Sequence, residues 1–165
     1  MDPLKQEKKL FMTRLMTPEM ANFSGKVHGG SILKLLDEAA FSCASRYCQT
    51  YVVTASLDQV VFKNPITVGD LVTFKCNVNY VGRSSMEIGI KVEGEKICEK
   101  KKYHAISCYF TMISVDANGK SQKVPTLELS SETEEKLFQA GKMRCKMRKE
   151  IQDRNMQLHV GLDPD

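Results

Sequence analysis

The residues best suited to chemistry lie together between Asn22 and Glu38. The pair Gly29-Gly30 comes just before a predicted helix, where glycine lets the backbone approach a ligand closely. The first-turn amides of a helix have no partner within the helix, and they lie at its positive end. These amides are therefore predicted to hold a carbonyl oxygen that acquires negative charge during a reaction.

Asp37 lies two turns further along the same predicted helix, beside its apolar side. Burial there would raise the pKa of its carboxyl above the ordinary value of about 3.9, which suits a general base. A surface acid that pairs with Lys34 fits the same pattern, so both interpretations stay open. Glu38 is expected to be the more exposed acid of the two.

Gly29 and Asp37 are too far apart to act together within one chain. Eight residues separate them, which at a rise of about 1.5 Å per residue is about 12 Å along one helix. Groups that act on one carbonyl must lie much closer than this. If both residues are catalytic, they come from different chains, and two active sites lie across a two-fold dimer.

Hydrophobic periodicity predicts the elements that position these residues. Apolar residues recur every three or four positions from Ser31, which indicates a helix of about 17 residues. Strands are predicted at 9–16, 53–61, 70–81, 84–92 and 103–115. Alternation indicates those at 53–61, 70–81 and 84–92, with a hairpin link at 82–84 and a polar surface connection at 93–102. A Ser-x-x-Glu capping box at Ser131 begins a second, basic helix. A solvated face, a subunit contact or a place near an anionic ligand all fit that helix.

The order of these elements predicts the fold class. One long helix ahead of several antiparallel strands is the α+β pattern in which a sheet wraps a single helix. Residues 103–115 are apolar at nearly every position, which is typical of a strand covered on both faces. Since the chain has only one long internal helix, another subunit is expected to bury part of the sheet.

Length and composition limit the class of protein. With 165 residues, 42% of them hydrophobic and 27% charged, the chain fits one globular domain. No apolar run is long enough to span a membrane, and the charged N-terminus does not resemble a secretory signal. The mature protein is therefore expected to be the whole chain, in the cytoplasm.

Cysteine spacing and the distribution of charge argue against a metal-binding protein and against a nucleic-acid-binding protein. The six cysteines form no C-x-x-C pair and no zinc-like spacing with histidine, so no metal site is expected. Four cysteines fall in apolar segments and are expected to be buried free thiols: Cys43, Cys48, Cys76 and Cys108. The segment from Lys142 to Arg154 accounts for the whole net charge of +4, so no nucleic-acid-binding surface over the body of the protein is expected.

Three blocks of the sequence resemble those of the hotdog-fold acyl-CoA thioesterases of the brain acyl-CoA hydrolase and YciA-like group. The blocks are Asn22-x-x-Gly25-x-x-x-Gly29-Gly30-x-x-Leu33-x-x-x-Asp37, Val53-Thr54-Ala55-Ser56-x-Asp58-x-Val60-x-Phe62-x-x-Pro65-x-x-x-Gly69-Asp70, and Val81-Gly82-Arg83-Ser84-Ser85. The likeness covers about residues 10–125. It implies a hotdog fold, dimers often assembled as trimers of dimers, and hydrolysis of acyl-CoA to a free acid and CoA.

The resemblance also implies roles for particular residues. Asp37 would be the general base or the nucleophile, and Asn22 of the opposing protomer would place water or the thioester. Gly29 and Gly30 would present backbone donors to the carbonyl. A second group would lie near the CoA arm, where guanidinium and hydroxyl groups suit phosphate: Gly82, Arg83, Ser84 and Ser85.

The resemblance does not support a catalytic role for His28, and it leaves the C-terminal segment without a function. His28 is not expected to be catalytic, because related proteins can have an aromatic residue there, and Asp58 is expected to be structural. No cofactor is expected, since CoA belongs to the substrate. The predicted organisation is an N-terminal tail over 1–8, a thioesterase domain over 9–125, and a C-terminal extension over 126–165 that carries the basic helix.

Two other functions fit the same fold. Hotdog dehydratases and hydratases use a helix-borne acid with a histidine, but their histidine lies well upstream of the acid, whereas only nine positions separate His28 from Asp37. Non-catalytic acyl-CoA sensors carry asparagine at the acid position and a DNA-binding module ahead of the fold. Here the acid is present, and few residues precede the first predicted strand.

Overall fold

The computed structural model describes residues 6–158, so the outermost parts of the predicted tail and C-terminal extension lie outside the described residues. The chain divides after Glu128 into two compact units. The first unit contains a long helix and all the strands. The second contains one helix.

The elements follow the predicted order. They are β1 (Lys9–Leu15), α1 (Gly29–Cys48), β2 (Val52–Leu57), β3 (Val61–Phe62), β4 (Leu71–Val81), β5 (Ser85–Lys96), β6 (Lys101–Ser114) and α2 (Glu132–Gln157), with short 3-10 helices at Pro18–Met20 and Ile97–Glu99. The strands form one antiparallel sheet in the order β1-β4-β5-β6-β2, and β3 also pairs with β6. The α+β architecture predicted from the sequence is confirmed.

Helix α1 forms the centre of the first unit. It packs against β1, β2, β4, β5 and β6. Its buried residues repeat at three- and four-residue intervals, as the periodicity predicts: Ile32, Leu35, Leu36, Ala39, Ala40, Cys43, Ala44 and Tyr47. Small side chains along this face let the sheet lie close to the helix, which gives α1 a fixed position for any group it carries.

Two boundaries differ from the sequence-based prediction. Helix α1 begins at Gly29 instead of Ser31, so both glycines belong to its first turn. The strand predicted over 53–61 is two strands, β2 and β3, separated by residues 58–60. The break lets Phe62 lie beside the start of α1.

The prediction of a polar surface connection at 93–102 is wrong. Strand β5 continues to Lys96 and β6 begins at Lys101, so most of this segment belongs to the sheet. Its charges neutralise one another on the sheet surface, where Glu93 pairs with Lys75 and Lys91. Because so many residues of segment 93–102 are charged, its composition is typical of a loop. The hydrophobic pattern therefore did not indicate a strand there.

Strand β2 is an edge strand whose polar side faces α1. Four apolar residues of β2 and β3 remain 37–50% exposed: Val53, Leu57, Val61 and Phe62. On β6, alternate residues are buried against α1, and residues such as Tyr109 and Ile113 on the opposite face are half-buried. Both surfaces carry apolar side chains that one chain does not cover.

Asp70 stabilises the turn that leads into β4. Its Oδ2 accepts hydrogen bonds from the Tyr103 hydroxyl at 2.5 Å and from the backbone N–H of Thr67 at 2.9 Å. Burial raises the pKa of this carboxyl, but the hydrogen bonds outweigh burial and hold the pKa below its usual value. The carboxylate is therefore ionised and fully engaged near neutral pH.

Helix α2 begins at the predicted capping box. The Ser131 hydroxyl accepts a hydrogen bond from the backbone N–H of Glu134 at 3.2 Å. Acidic residues occupy its first turn and basic residues follow, as the helix dipole favours. Neither this helix nor any other within residues 6–158 has the length and apolar character needed to cross a membrane.

Candidate active site

A small hairpin-like loop leads into α1. Its two sides are joined by a hydrogen bond from the His28 N–H to the Met20 carbonyl at 2.7 Å and by one from the Asn22 N–H to the Lys26 carbonyl at 2.7 Å. Gly25 closes the tip with φ of 73°, a left-handed conformation that favours glycine. The loop therefore holds Asn22 near its tip and delivers Gly29 from its base.

The amide orientation of Asn22 follows from its partners. Its Oδ1 lies 2.9 Å from the backbone N of Ser24 and 3.2 Å from the backbone N of Lys26, and it also accepts from the Ser24 hydroxyl at 2.8 Å. A backbone N–H can only donate, so the atom facing it must be the oxygen. The Nδ2 group is left as a donor, and no partner for it is found within residues 6–158.

The first turn of α1 has its own pattern of donors. His28 is the N-cap residue, and its Nδ1 accepts a hydrogen bond from the Gly30 N–H at 3.0 Å. The Ser31 N–H bonds to the His28 carbonyl at 3.0 Å. Within the described chain, the Gly29 N–H is thus the first-turn amide that these bonds leave available. A Cβ on Gly29 would lie 3.6 Å from the Phe62 ring, which shows how closely that ring approaches.

Asp37 is held by a residue of the neighbouring strand. Its Oδ1 accepts a hydrogen bond from the Thr54 hydroxyl at 2.6 Å. Lys34 instead approaches Glu38 at 3.9 Å, so the pairing with Lys34 considered for Asp37 is not observed. Asp37 and Glu38 are both exposed in the single chain.

Thr54 was not singled out from the sequence as a site residue. Its place on the polar side of a predicted strand was visible, but only the packing of α1 on the sheet shows that this side meets Asp37. The Thr54 hydroxyl also lies 3.6 Å from Met112 Sδ, a fully buried residue of β6. The hydroxyl is therefore restricted in direction, and it fixes one oxygen of the carboxylate.

These residues form two groups, which we name the amide half (Asn22, Gly29 and Gly30) and the carboxylate half (Asp37 and Thr54). Thr54 pairs with Met112 of β6, whereas Phe62, the neighbour of Gly29, pairs with Ile106. Six residues of an antiparallel strand span about 20 Å. One chain thus keeps the two halves apart, in agreement with the distance expected along the helix.

The predicted CoA-binding residues form the tight link between β4 and β5. The Gly82 N–H bonds to the Ser85 carbonyl at 2.8 Å, and the carbonyls of Arg83 and Ser84 accept bonds from Val124 and Ser114. The Arg83 side chain is exposed. The link is thus held through its backbone, which leaves its side chains available to a ligand.

The link lies close to the carboxylate half in the sheet. Ser85 pairs with Ile113 of β6, and Ile113 pairs in turn with Val53 of β2. Two strand spacings of about 4.8 Å place the link about 10 Å from the position of Thr54. The link between β4 and β5 and Thr54 therefore lie near the same end of the sheet.

Four of the six cysteines are buried, whereas Cys98 is exposed and Cys145 is half-buried. The four cysteines predicted to be buried free thiols are confirmed as such. Burial raises the pKa of Cys43 and of Cys108 to about 12, so neither forms a thiolate at neutral pH. Within residues 6–158, no group of three or more His, Cys, Asp or Glu side chains is placed to hold a metal ion.

Comparison with known proteins identifies the family. A model described as the thioesterase superfamily matches residues 24–98. The Helicobacter pylori protein VdlD is 46% identical over 85% of this chain and 80% of its own length. Bacillus subtilis YkhA, named an uncharacterized acyl-CoA thioester hydrolase, is 31% identical over 97% of this chain and 93% of its own. The human cytosolic acyl coenzyme A thioester hydrolase is 36% identical over 81% of this chain, which spans about a third of that relative.

Solved structures agree in fold. An acyl-CoA hydrolase from Staphylococcus aureus, in complex with butyryl-CoA, CoA and CoA disulfide, has a TM-score of 0.84 at 29% identity and covers 92% of this chain and 93% of its own. A hexameric acyl-CoA thioesterase without ligand has a TM-score of 0.83 at 33% identity, covering 87% of this chain and 92% of its own. The chain is a hotdog-fold protein. It belongs to the thioesterase superfamily.

Variants of the Staphylococcus aureus enzyme mark three of its positions. Its solved structures include replacements by alanine of one asparagine, one aspartate and one threonine, which are 15 and 17 residues apart in the chain. Asn22, Asp37 and Thr54 have the same residue types at the same intervals. The spacing therefore relates both halves described above to positions studied in that hydrolase.

Proposed function

We propose that this protein hydrolyses the thioester of acyl-CoA to a free acid and CoA. The observation that carries the proposal is the hydrogen bond between Asp37 and Thr54, on residues whose types and spacing match the positions altered in the Staphylococcus aureus acyl-CoA hydrolase. The names of the relatives support the same reaction class. The helix-borne acid, the free Gly29 N–H of the first turn of α1 and the Asn22 side-chain amide supply the groups that the reaction requires.

In the proposed mechanism, Asp37 acts as a general base. Thr54 holds one carboxylate oxygen, and the other takes a proton from a water molecule as that water attacks the thioester carbonyl. The carbonyl oxygen becomes negatively charged in the tetrahedral intermediate. When the carbon–sulfur bond breaks, the sulfur leaves as the thiolate of CoA and takes up the proton, and the acyl group leaves as the acid.

The amide half stabilises the developing negative charge. Asn22 Nδ2 and the Gly29 N–H are donors on one rigid loop, and preorganised donors of this kind lower the barrier of acyl transfer reactions. Gly30 has its N–H engaged by His28 in this structure, so its direct contribution stays a prediction. Since the two halves lie apart in one chain, we propose that each active site combines the amide half of one protomer with the carboxylate half of its partner.

A homo-oligomer follows from a shared site. The exposed apolar residues of β2 and β3 are suited to contact with a second copy, and they lie next to both halves. A related thioesterase is hexameric, so we propose a trimer of dimers for this chain as well. The body of the enzyme would then be residues 9–125, with 126–165 as an extension.

The link between β4 and β5 would bind the CoA arm. The exposed guanidinium of Arg83 can pair with phosphate, and Ser84 and Ser85 add hydroxyl groups beside it. No further cofactor is needed for hydrolysis by this scheme. We also propose a cytoplasmic location, which is supported by the cytosolic relative and by the six free cysteines.

The test is turnover on a panel of acyl-CoA esters of increasing chain length, followed by release of free thiol. We expect Asp37→Asn to lower kcat at least about a hundredfold, the scale expected for loss of a general base. The oligomeric state, measured by light scattering, should not change. Absence of turnover by the unaltered protein on every ester would reject the proposed function, and near-normal turnover by the variant would remove Asp37 from the mechanism.

The route of attack is tested by single turnover in H₂¹⁸O. If water attacks the carbonyl directly, the label enters the released acid and not the protein. If the Asp37 carboxylate attacks first, an anhydride forms and its hydrolysis places the label in the protein or the product. Label in the peptide that contains Asp37, detected by mass spectrometry, arises only by the anhydride route and would therefore demonstrate that route.

A further inference from the structure

The interaction between His28 and Gly30 lies inside the amide half and has no role in the mechanism above. His28 Nδ1 lies 3.0 Å from the Gly30 backbone N. Because a backbone N–H can only donate, Nδ1 must offer its lone pair, and the ring proton is on Nε2. In this geometry the imidazole uses its basic nitrogen to cap the helix, so that nitrogen cannot serve as a proton acceptor for water.

The cap decides which amide faces the substrate. Two adjacent glycines have no Cβ to restrict their backbone, so the directions of their N–H groups depend on external contacts. The bond to His28 fixes Gly30, and the His28 carbonyl accepts the Ser31 N–H. The Gly29 N–H is then the first-turn amide that takes part in neither bond.

The space around the two glycines supports this division. A Cβ on Gly30 would lie 3.3 Å from His28 Nδ1, which is tighter than ordinary contact, and 3.6 Å from its Cε1, so the ring lies directly against the backbone of Gly30. A Cβ on Gly29 would meet only the Phe62 ring, at an ordinary 3.6 Å. His28 thus covers one glycine, while the other faces the neighbouring strand.

We propose that His28 is a positioning residue of the active site, which caps Gly30 so that the Gly29 N–H, together with Asn22 Nδ2, holds the thioester oxygen. The inference rests on the proposed hydrolase function. It assigns no proton transfer to the imidazole. Any side chain that presents a hydrogen-bond acceptor at the same place should therefore substitute for histidine.

The test compares two substitutions at this position. His28→Ala removes the acceptor, whereas His28→Asn keeps one, because asparagine is among the best N-cap residues. We expect His28→Ala to lower kcat about five- to tenfold and to change KM by less than about twofold. This is the change in rate expected if the free-energy cost of losing an N-cap is felt in the transition state. His28→Asn should recover kcat to within about threefold of the unaltered protein.

Two controls keep the result interpretable. Ser131→Ala removes an N-cap acceptor from α2 and should leave kcat unchanged, so it reports on loss of a cap in general. Combining Gly30→Ala with His28→Ala should cost less than the product of the two single effects, because both changes disrupt one contact.

Two outcomes would overturn the inference. If His28→Asn is as slow as His28→Ala, the imidazole itself takes part in the chemistry. If His28→Ala is as fast as the unaltered protein, the cap does not position the amides. Failure of the unaltered protein to hydrolyse any acyl-CoA would reject the function instead. The cap would then be judged by hydrogen exchange of the peptide around Gly30, which should be faster in His28→Ala and unchanged in His28→Asn.

Discussion

Mixing two inactive variants tests whether the active site is shared between protomers. One variant is Asp37→Asn, which removes the carboxylate, and the other is Asn22→Ala, which removes a donor of the amide half. In a mixed dimer, one of the two sites carries both defects. The other site combines the intact Asp37 of one protomer with the intact Asn22 of its partner.

The expected recovery can be calculated from this arrangement. The amide and carboxylate halves lie about 12 Å apart along α1 and about 20 Å apart along β6, so neither variant can rebuild a site alone. Random assortment of equal amounts gives mixed dimers in about half of the population, each with one working site of two. The mixture should therefore show about one quarter of the activity of the unaltered protein at the same total concentration.

The assay requires exchange of subunits before measurement. Co-expression of the two variants with different affinity tags, followed by sequential purification, isolates assemblies that contain both variants, which should have about half of normal activity as dimers and about one quarter as trimers of dimers. Each variant mixed with a tagged copy of itself is the matched control. If mixed dimers form but are no more active than these controls, each site is built within one chain and the division into two halves is incorrect.

Three further predictions follow from single contacts. Thr54→Val should lower kcat about tenfold, the lower end for loss of a hydrogen bond to a charged group at an exposed position, while Thr54→Ser should stay near normal in the same thiol-release assay. Arg83→Ala should raise KM for acyl-CoA about tenfold but leave KM unchanged for a thioester that lacks the nucleotide, and the difference should shrink at high salt. The pKa of Asp70 is lowered on folding, so its contribution to stability is present above the unfolded value of about 3.9 and is lost as the pH falls through the folded pKa. Tyr103→Phe should therefore destabilise the protein by about 1–3 kcal/mol at pH 7 and by clearly less near pH 2 in denaturant unfolding; an equal loss at both pH values would contradict this assignment.

Much of the fold was accessible from the sequence because the buried faces are strongly periodic. The apolar repeat from Ile32 to Tyr47 predicted α1, alternation predicted β4 and β5, and a nearly continuous apolar run predicted β6. The segment from Glu93 to Lys102 was missed because its exposed side chains are mostly charged, although backbone pairing between β5 and β6 continues through it and Glu93 forms ion pairs with Lys75 and Lys91. Patterns of hydrophobicity detect strands through their buried face, so strands with charged exposed ends escape them.

Some residues of the candidate site could be predicted from the sequence, and others could not. Asn22, Gly29 and Asp37 were accessible because their types and spacing are local features of one segment. Thr54 was not, since its contact with Asp37 depends on how α1 packs on an edge strand 17 residues later. The bond between His28 and Gly30 was also missed, because a histidine cap has no distinctive sequence pattern and His28 was considered only as a catalytic group.

Asn22 uses opposite ends of one small group for two separate tasks. The oxygen shapes the loop through three hydrogen bonds, whereas the nitrogen is the group that we propose donates to the substrate. Aspartate could accept those same three bonds, so a chain with Asp at position 22 would keep the loop and its stability yet present an anion where the substrate needs a donor. Natural sequences that carry this one-atom exchange would be well-folded proteins unable to process thioesters, and thermal stability alone would not reveal them.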